Sequence, residues 1–448
     1  MNCKRIICIM LCVCMLVCLT ACYKNTQKPQ ESESKVTDNT VQTTEGKVTQ
    51  ESLNTTEAEE TQPVDDSDNH GMLSLEKSLH TLFEWEDGYD KALVKSKFSD
   101  VTLGQDDADK YPEMALVLSQ LATMQKNAME DEFDNFVAFA HEELSENKDG
   151  FEPYVSTIDV QVRRADSVVI SLLTYSCSDY LGIENYRVFH GTNYDTETGR
   201  ELTLDDVIKN VNNDLAIAVE DELTSHMWTG EFYSEYAVQE YFADTPYHGF
   251  NWTMDYNGVT FYFEPGLLCD EGAMTATLSF AEHPELFHEK YMVVPEEYIV
   301  ELPLDFSFFT ELDSDAYLEE ISVSGWWDDE RDRFVDYSVH TETSHYIEKC
   351  FAYDLHPYYV KTLDGNYVYL FCEDFNEGAR QMNLIVLSLN EDGSVAKLAN
   401  KNLSPSWLLD NKFIVPADPS NLILDDTDSD TQKVIFTVDG SGLPKANR

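Results

Sequence analysis

The chain has 448 residues, of which 42% are hydrophobic, so most of it can bury a core, and at about 150 residues per domain it has room for about three units. Lys and Arg number 30 against 84 Asp and Glu, a formal net charge of −54 that argues against nucleic-acid binding, because phosphates require clustered cations. Six of the ten cysteines lie within the first 22 residues, which excludes a small fold held together by disulfides.

The N-terminus has the pattern of an export signal. Two basic residues precede an apolar stretch at 6–17 that is too short to span a membrane as a helix. Residues 19–22 are Leu-Thr-Ala-Cys, which resembles the bacterial lipobox, where the cysteine is lipidated and the chain is cleaved just before it. We expect a signal peptide over 1–21, acyl chains such as palmitate on Cys22, and a lipid-anchored lipoprotein on the extracytoplasmic face of the cell membrane. The alternative is an ordinary signal peptide with a chance cysteine.

A polar segment follows. Of the 48 residues from 23 to 70, 22 are Ser, Thr, Asn or Gln, and no apolar periodicity is evident, which is typical of a disordered tether. We therefore interpret 22–70 as the lipidated cysteine and a flexible stalk. One core rarely grows as large as the remaining chain, so we expect two domains, at 71–304 and 305–448.

The first domain mixes strand and helix patterns. Apolar residues recur at mostly three- and four-residue spacings from Met114 to Leu144, which predicts an amphipathic helix, or two in series, over 112–145 with Pro112 in the first turn. Strands are predicted at 78–85, 92–101, 154–163, 167–176 and 185–193.

Residues 193–207 combine a turn with a helix start. Gly199 can adopt a positive φ at the end of the turn. Thr203 with Asp206 three residues later resembles a capping box, so we expect a helix from 204 to 226.

A hairpin is predicted at Asn257-Gly258, between 251–254 and 259–264, because Asn-Gly is a strong signal for a two-residue hairpin turn. In the second of these strands Val, Phe and Phe alternate with Thr, Tyr and Glu. We therefore expect the strand to bury one face.

These segments together resemble a known family. The helix that opens at Pro112, the Asn-Tyr-Asp turn with Leu-Thr-Leu-Asp-Asp over 193–206, and Asn-Gly-Val-Thr-Phe-Tyr-Phe-Glu-Pro over 257–265 are similar to the extracellular domain of the lysozyme-sensing anti-sigma factor RsiV. A related domain of unknown function accompanies some bacterial peptidoglycan deacetylases. The resemblance covers residues 105–300 and implies an RsiV-like α+β domain of helix and antiparallel sheet, without known catalysis, that occurs on cell-surface lipoproteins.

The second domain is predicted to be β-rich. Strand patterns recur at 318–324, 333–340, 347–353, 358–361, 367–372, 383–389, 413–415 and 433–438, with Asp-Gly pairs between several of them. Short strands separated by such turns favour an all-β meander, either a partial propeller or a sandwich. An interaction module is the default function of such a unit.

Four cysteines follow Cys22: Cys177, Cys269, Cys350 and Cys372. Disulfides persist outside the cytoplasm, so Cys177 could pair with Cys269 if their loops meet, and Cys350 could pair with Cys372 on a nearby strand. The alternative is buried reduced thiols.

A search for catalytic and metal-binding motifs finds none complete. His141 and His288 each begin a pattern that lacks the second histidine of a zinc-binding helix. His283 and His288 would lie on different faces of a helix, and His340 and His345, five residues apart, on opposite faces of a strand. We therefore predict no catalytic residue, no metal and no cofactor, and a protein that is not an enzyme.

An aromatic and acidic run, Trp326-Trp327-Asp328-Asp329-Glu330, could present an aromatic ring and carboxylates to a sugar or peptide. The alternative is that one Trp packs into the core while the acidic residues cap a turn.

From residue 71 onward, 24 Lys and Arg stand against 73 Asp and Glu, a net charge of −49. Such a field attracts cationic proteins, which agrees with the resemblance, although acidity could also serve solubility alone. We expect a membrane-anchored binding or sensor lipoprotein of the cell envelope that recognises a wall component such as peptidoglycan or a cationic protein such as lysozyme. The alternatives are an enzyme that processes cell-wall glycans or peptides with acidic residues, and a structural partner in an envelope complex.

Overall fold

The computed structural model describes residues 71–89, 91–180, 183–211, 213–226, 232–234, 236–245, 249–269, 273–313, 317–328, 331, 333–376, 379–403, 412–425 and 433–446. The predicted signal peptide, Cys22 and the tether lie outside these residues. Among the described helices, none is both long enough and apolar enough to cross a membrane. The described residues from 71 to 446 belong to one compact unit.

The fold is α+β, with a helical part followed by mostly antiparallel sheets. The helices are α1 (Gln105–Lys110), α2 (Pro112–Glu146), α3 (Leu204–Val207), α4 (Asn213–His226) and α5 (Ala237–Asp244). The strands of the first half are β1 (Leu75–Glu84), β2 (Val94–Leu103), β3 (Tyr154–Ala165), β4 (Val169–Tyr180), β5 (Ile183–Asp195), β6 (Trp252–Met254), β7 (Gly258–Phe263), β8 (Met274–Ser279) and β9 (Tyr298–Glu301). The strands of the second half are β10 (Ser307–Thr310), β11 (Glu319–Asp328), β12 (Arg333–Thr341), β13 (His345–Ala352), β14 (Asp354–Thr362), β15 (Gly365–Asn376), β16 (Ala379–Leu389), β17 (Val395–Leu403), β18 (Lys412–Ile414), β19 (Leu422–Asp425), β20 (Lys433–Val438) and β21 (Pro444–Ala446).

The N-terminal sheet has the strand order β18-β1-β2-β3-β4-β5. Its neighbouring strands are antiparallel except β2 and β3, which are parallel because their connection carries α2 across the sheet. Helix α2 packs against β2 and buries Met114, Leu118, Phe136 and Ala140. The helix predicted from the apolar spacing is therefore confirmed.

Two further sheets pack face to face. The central sheet has the order β17-β16-β15-β14-β9, and the outer sheet has the order β10-β11-β12-β13. They share one core, to which Val300 and Val368 contribute from the central sheet and Val323 and Val339 from the outer sheet. Strands β14 to β17 are consecutive and antiparallel, so the predicted meander is confirmed.

The predicted domain boundary at residue 304 falls inside this arrangement. Strand β9, which precedes it, pairs with β14, which follows it. Strand β18 pairs with β1 at the edge of the N-terminal sheet. Strands from both predicted domains therefore share sheets.

The predicted hairpin forms, but its central turn residues are Tyr256 and Asn257, because the backbone N–H of Asp255 donates to the Gly258 carbonyl and Met254 lies opposite Val259. The expectation that the second strand buries one face is wrong. All residues of β7 are buried, since the β6-β7-β8 sheet packs against α4 and α5 on one side. On the other side Tyr262 stacks on Phe189 of β5, with ring centroids 5.9 Å apart. The hydroxyl groups on this second face form hydrogen bonds within the protein. Those of Tyr262 and Thr253 lie 2.8 Å apart, which offsets the cost of burying them.

The single helix predicted from residue 204 is wrong, because α3 and α4 are separate helices. Ile208 leaves the helix in an extended conformation and forms a β-bridge with Phe287. The backbone N–H of Lys209 donates to the carbonyl of Leu286 at 2.8 Å. Both Ile208 and Phe287 are buried, so tertiary packing overrides the helical continuation here.

The two pairings considered for the cysteines are absent. Among the described residues no disulfide occurs, and Cys177, Cys269, Cys350 and Cys372 all carry thiols. The sulfur of Cys269 lies 3.4 Å from that of Met274, inside a hydrophobic core. Burial raises the pKa of the Cys350 thiol to about 12. Three of the four therefore correspond to the buried-thiol alternative, while Cys177 is half-buried on β4.

Candidate functional site

The Asn193–Asp206 motif is held together by its own side chains. Gly199 has a φ of 65°, and Thr203 with Asp206 forms the predicted capping box at the start of α3. Arg200 donates two hydrogen bonds to the Asp206 carboxylate at 2.8 and 2.7 Å, which lowers the pKa of Asp206 to about 2. Asn193 donates to the carbonyl of Trp252 at 2.9 Å. These bonds fasten a turn to the fold, so the motif has a structural role.

An acidic aromatic patch lies where β1 ends beside α2. It comprises Phe83, Glu84, Trp85, Glu86 and His141. Phe83 is 48% exposed and Trp85 59% exposed, with ring centroids 6.3 Å apart. The ring nitrogens of His141 lie 3.0 Å from Glu84 Oε1 and 3.4 Å from Glu86 Oε2. Aromatic rings in water beside carboxylates suit the ammonium and guanidinium groups of a partner.

The outer sheet presents a second exposed aromatic residue. Trp326 is 71% exposed, whereas Trp327 packs edge-to-face on Phe334 at 5.0 Å. Asp328 accepts a hydrogen bond from the backbone N–H of Arg331 and forms an ion pair with its guanidinium at 3.0 Å. One Trp therefore packs inward and an acidic residue caps the turn, while Trp326 is exposed.

The expectation that His340 and His345 lie on opposite faces is wrong. The chain reverses between them, so that they form a cross-strand pair between β12 and β13. Their rings stack with centroids 3.8 Å apart. Burial and the neighbouring imidazole lower the pKa of His340, which keeps it neutral over a wider pH range.

A buried charged cluster joins the N-terminal sheet to the central sheet. The Lys77 ammonium on β1 lies 2.8 Å from Asp159 on β3 and 2.8 Å from Glu301 on β9. Burial lowers the pKa of Lys77, but the two carboxylates more than offset it and raise that pKa above its usual value. Burial raises the pKa of Glu301, and Lys77 only partly opposes this. Lys77 thus stabilises the ionised form of Glu301, which burial alone would disfavour more strongly.

Two buried arginines connect the same sheet to the β6–β9 region. Arg164 Nε donates to Asp166 at 2.7 Å, and its Nη1 donates to the carbonyl of Tyr291 at 2.7 Å. Its guanidinium lies 5.2 Å from the ring centroid of Tyr256. Arg163 lies 3.5 Å from Asp255, whose pKa is raised by burial. These pairs position strands and expose little charge to a ligand.

Two groups of side chains in the described residues have metal-ligand composition. One comprises Glu222, Glu282 and His283, all half-buried; the other comprises Asp354, His356 and Glu373. Sequence reasoning missed the second group. The alternation of Asp354 and His356 was a signal for a shared strand face, but Glu373 is placed beside them only by strand pairing.

Comparisons with known proteins give structural matches but no sequence match. No protein-family model matches the sequence, and no curated protein matches it. The structure is similar to that of a DUF3298 family member from Bacteroides fragilis, with 12% identity, 50% of this chain and 98% of that chain covered, and a TM-score of 0.38. It is also similar to a DUF3298 family protein from Pseudomonas aeruginosa, with 13% identity, 50% of this chain and 99% of that chain covered, and a TM-score of 0.33.

Proposed function

We propose that this chain is a binding lipoprotein of the cell envelope, anchored through Cys22 on the extracytoplasmic face, whose folded part recognises a cationic protein of the lysozyme class. The observation that carries the proposal is the acidic aromatic patch. It combines exposed rings, which anchor protein interfaces, with carboxylates that match a cationic partner.

The charge distribution supports this class of partner. Helix α2, which borders the patch, carries eight Asp and Glu against one Lys. Lys77, Arg163 and Arg164 are buried, so these cations do not face a partner. A field of this sign raises association rates of cationic proteins by about 10- to 1,000-fold at low salt.

The patch supplies an anchor that acidity alone lacks. Trp85 and Phe83 offer ring faces to lysine or arginine side chains, and Glu84 and Glu86 lie beside them. Asp134 lies two helical turns before His141 on α2, on the same face of the helix, and is exposed. A lysine or arginine of the partner would then meet a ring and a carboxylate together.

The test measures binding of a chicken-type lysozyme to the full chain in detergent. We expect an affinity that falls about tenfold or more between about 0.01 and about 0.15 M salt, as steering by surface charge requires. Trp85→Ala should weaken binding by about tenfold or more, while Trp326→Ala, on the outer sheet, should leave it unchanged.

Three results would contradict the proposal: no binding at low salt, binding without salt dependence, or a loss with Trp326→Ala but not with Trp85→Ala. Mass spectrometry of the mature N-terminus tests the anchor separately. We expect an acylated Cys22, and we expect Cys22→Ser to release the protein from the membrane.

A further inference from the structure

A mixed carboxylate and imidazole group lies on one face of the central sheet. Asp354 and His356 are two residues apart on β14, so their side chains share a face, and Asp354 pairs across the sheet with Glu373 on β15. The ligating atoms of the three side chains all lie within 4.8 Å of one another. Three potential ligands therefore lie close together on two paired strands.

His356 supplies an independent observation. Its Nε2 atom is buried and has no hydrogen-bond partner among the protein atoms of the described residues. A buried ring nitrogen without a partner is costly, because desolvation is not compensated. A neutral imidazole offers such a nitrogen as a lone pair, which is the form that binds metal ions.

Negative charges exceed positive ones in the contacts around this group. The group belongs to a wider cluster in which Lys97 lies 3.7 Å from Asp354, and Asp159 interacts electrostatically with both Asp354 and His356. Through these contacts and those of Lys77, two lysines (Lys77 and Lys97) meet three carboxylates (Asp159, Glu301 and Asp354). Carboxylates therefore exceed lysines in these contacts, which favours binding of a cation beside them.

The donor set identifies the class of cation. One nitrogen and two carboxylate oxygens suit zinc, which binds His nitrogen and carboxylate oxygen at about 2.0–2.2 Å, better than calcium, which prefers oxygen ligands alone. Asp354 is about one-third exposed at the side-chain level, which leaves a route from solvent and an open position for water. Glu373 is buried and would provide the fixed side of the site.

We propose that Asp354, His356 and Glu373 form a zinc site, which ties β14 to β15 where the central sheet meets the N-terminal sheet. The ion satisfies the buried nitrogen of His356 and neutralises the carboxylate excess. Its role is to stabilise the pairing of β14 with β15, because all three ligands lie on these two strands.

The test uses the full chain, stripped with a chelator and dialysed against micromolar Zn²⁺. We expect about one bound zinc ion per chain by elemental analysis and a higher unfolding temperature than in the stripped protein. His356→Ala and Asp354→Asn should abolish both effects. His283→Ala is the matched control, since it removes a half-buried histidine that also lies beside two carboxylates, and it should retain the zinc.

Asp354 lies at the solvent-accessible edge, and its replacement by Asn keeps the side-chain volume. This variant therefore distinguishes loss of the metal from loss of folding, and circular dichroism checks that it is folded. X-ray absorption of the zinc-loaded chain should show one nitrogen and two carboxylate oxygens from the protein. Retention of zinc by His356→Ala or by a correctly folded Asp354→Asn, loss with His283→Ala, or equal binding of Ca²⁺ would overturn the proposal.

Discussion

Replacing Lys77 with methionine tests whether the buried charged cluster holds the sheets together. Methionine keeps the apolar stem of the lysine and removes only its charge and hydrogen bonds. Asp159 and Glu301 then lose an ammonium group that lies 2.8 Å from each of them. The variant leaves two carboxylates in a buried site without this counter-ion.

The magnitude follows from the geometry. Each charge-assisted hydrogen bond contributes about 1.5–3 kcal/mol, so the two together contribute roughly 3–6 kcal/mol. The side chain of Asp159 is 31% exposed and can regain water, whereas that of Glu301 is 4% exposed and cannot. We therefore expect the free energy of unfolding at pH 7 to fall by about 3–5 kcal/mol.

The pH dependence has a definite sign. Lys77 holds the folded-state pKa of Asp159 below its usual value despite burial, so this carboxylate stabilises the native protein above about pH 4, and that contribution is lost as the pH falls through the folded-state pKa. Without Lys77, burial raises the pKa of both carboxylates above their unfolded values. The folded variant then binds more protons than the unfolded chain, and its stability rises as the pH falls from 7 toward 5.

Urea unfolding at pH 7 and pH 5, followed by tryptophan fluorescence, measures both effects. Lys126→Met is the control, because Lys126 is exposed on α2 and lies 3.9 Å from Glu130, a pair that contributes about 0.5 kcal/mol or less. A loss for Lys77→Met below about 1 kcal/mol, or a loss equal at both pH values, would refute the reasoning.

Three further predictions concern single positions. Asp206→Asn removes the carboxylate that accepts from Arg200, so the free energy of unfolding measured with urea at pH 7 should fall by about 1 kcal/mol. The difference from the parent protein should vanish as the pH falls from about 4 to about 2, where Asp206 is protonated. Equal urea midpoints at pH 7 would contradict this prediction. Gly191→Ala should lower the free energy of unfolding by about 3 kcal/mol, since the new Cβ would lie 2.0 Å from the Trp252 carbonyl oxygen. Gly71 has open space around it, so the control Gly71→Ala should not change the melting temperature. Cys350 should react with iodoacetamide at pH 8 only after unfolding, because burial raises its pKa to about 12; labelling of the native protein at the rate of the urea-unfolded chain would disprove this.

Local signals predicted much of the helical part. The apolar spacing from Met114 to Leu144 identified α2, because one face of a helix repeats every three to four residues. Asn257-Gly258 identified the turn between β6 and β7, and Thr203 with Asp206 identified the start of α3. Each of these signals depends on residues that are close in sequence, so tertiary contacts change it little.

The failures share one cause, which is contact between distant residues. Ile208 leaves a helical pattern to pair with Phe287, and both faces of β7 are buried because separate parts of the chain cover them. His340 and His345 lie on one face because the chain turns between them. Periodicity predicts which residues alternate, but it does not identify the strand or helix that covers each face.

The acidity and the local elements follow from the amino-acid order alone, which also predicts an export signal and lipidation at Cys22, since all of these depend on neighbouring residues. Only the tertiary structure brought Lys77 to Glu301 and Glu373 to His356, and placed Phe83 and Trp85 in solvent beside α2. Strand pairing over long sequence separations decides such contacts, because the free energy of burying a charge or a ring depends on which distant segment arrives beside it.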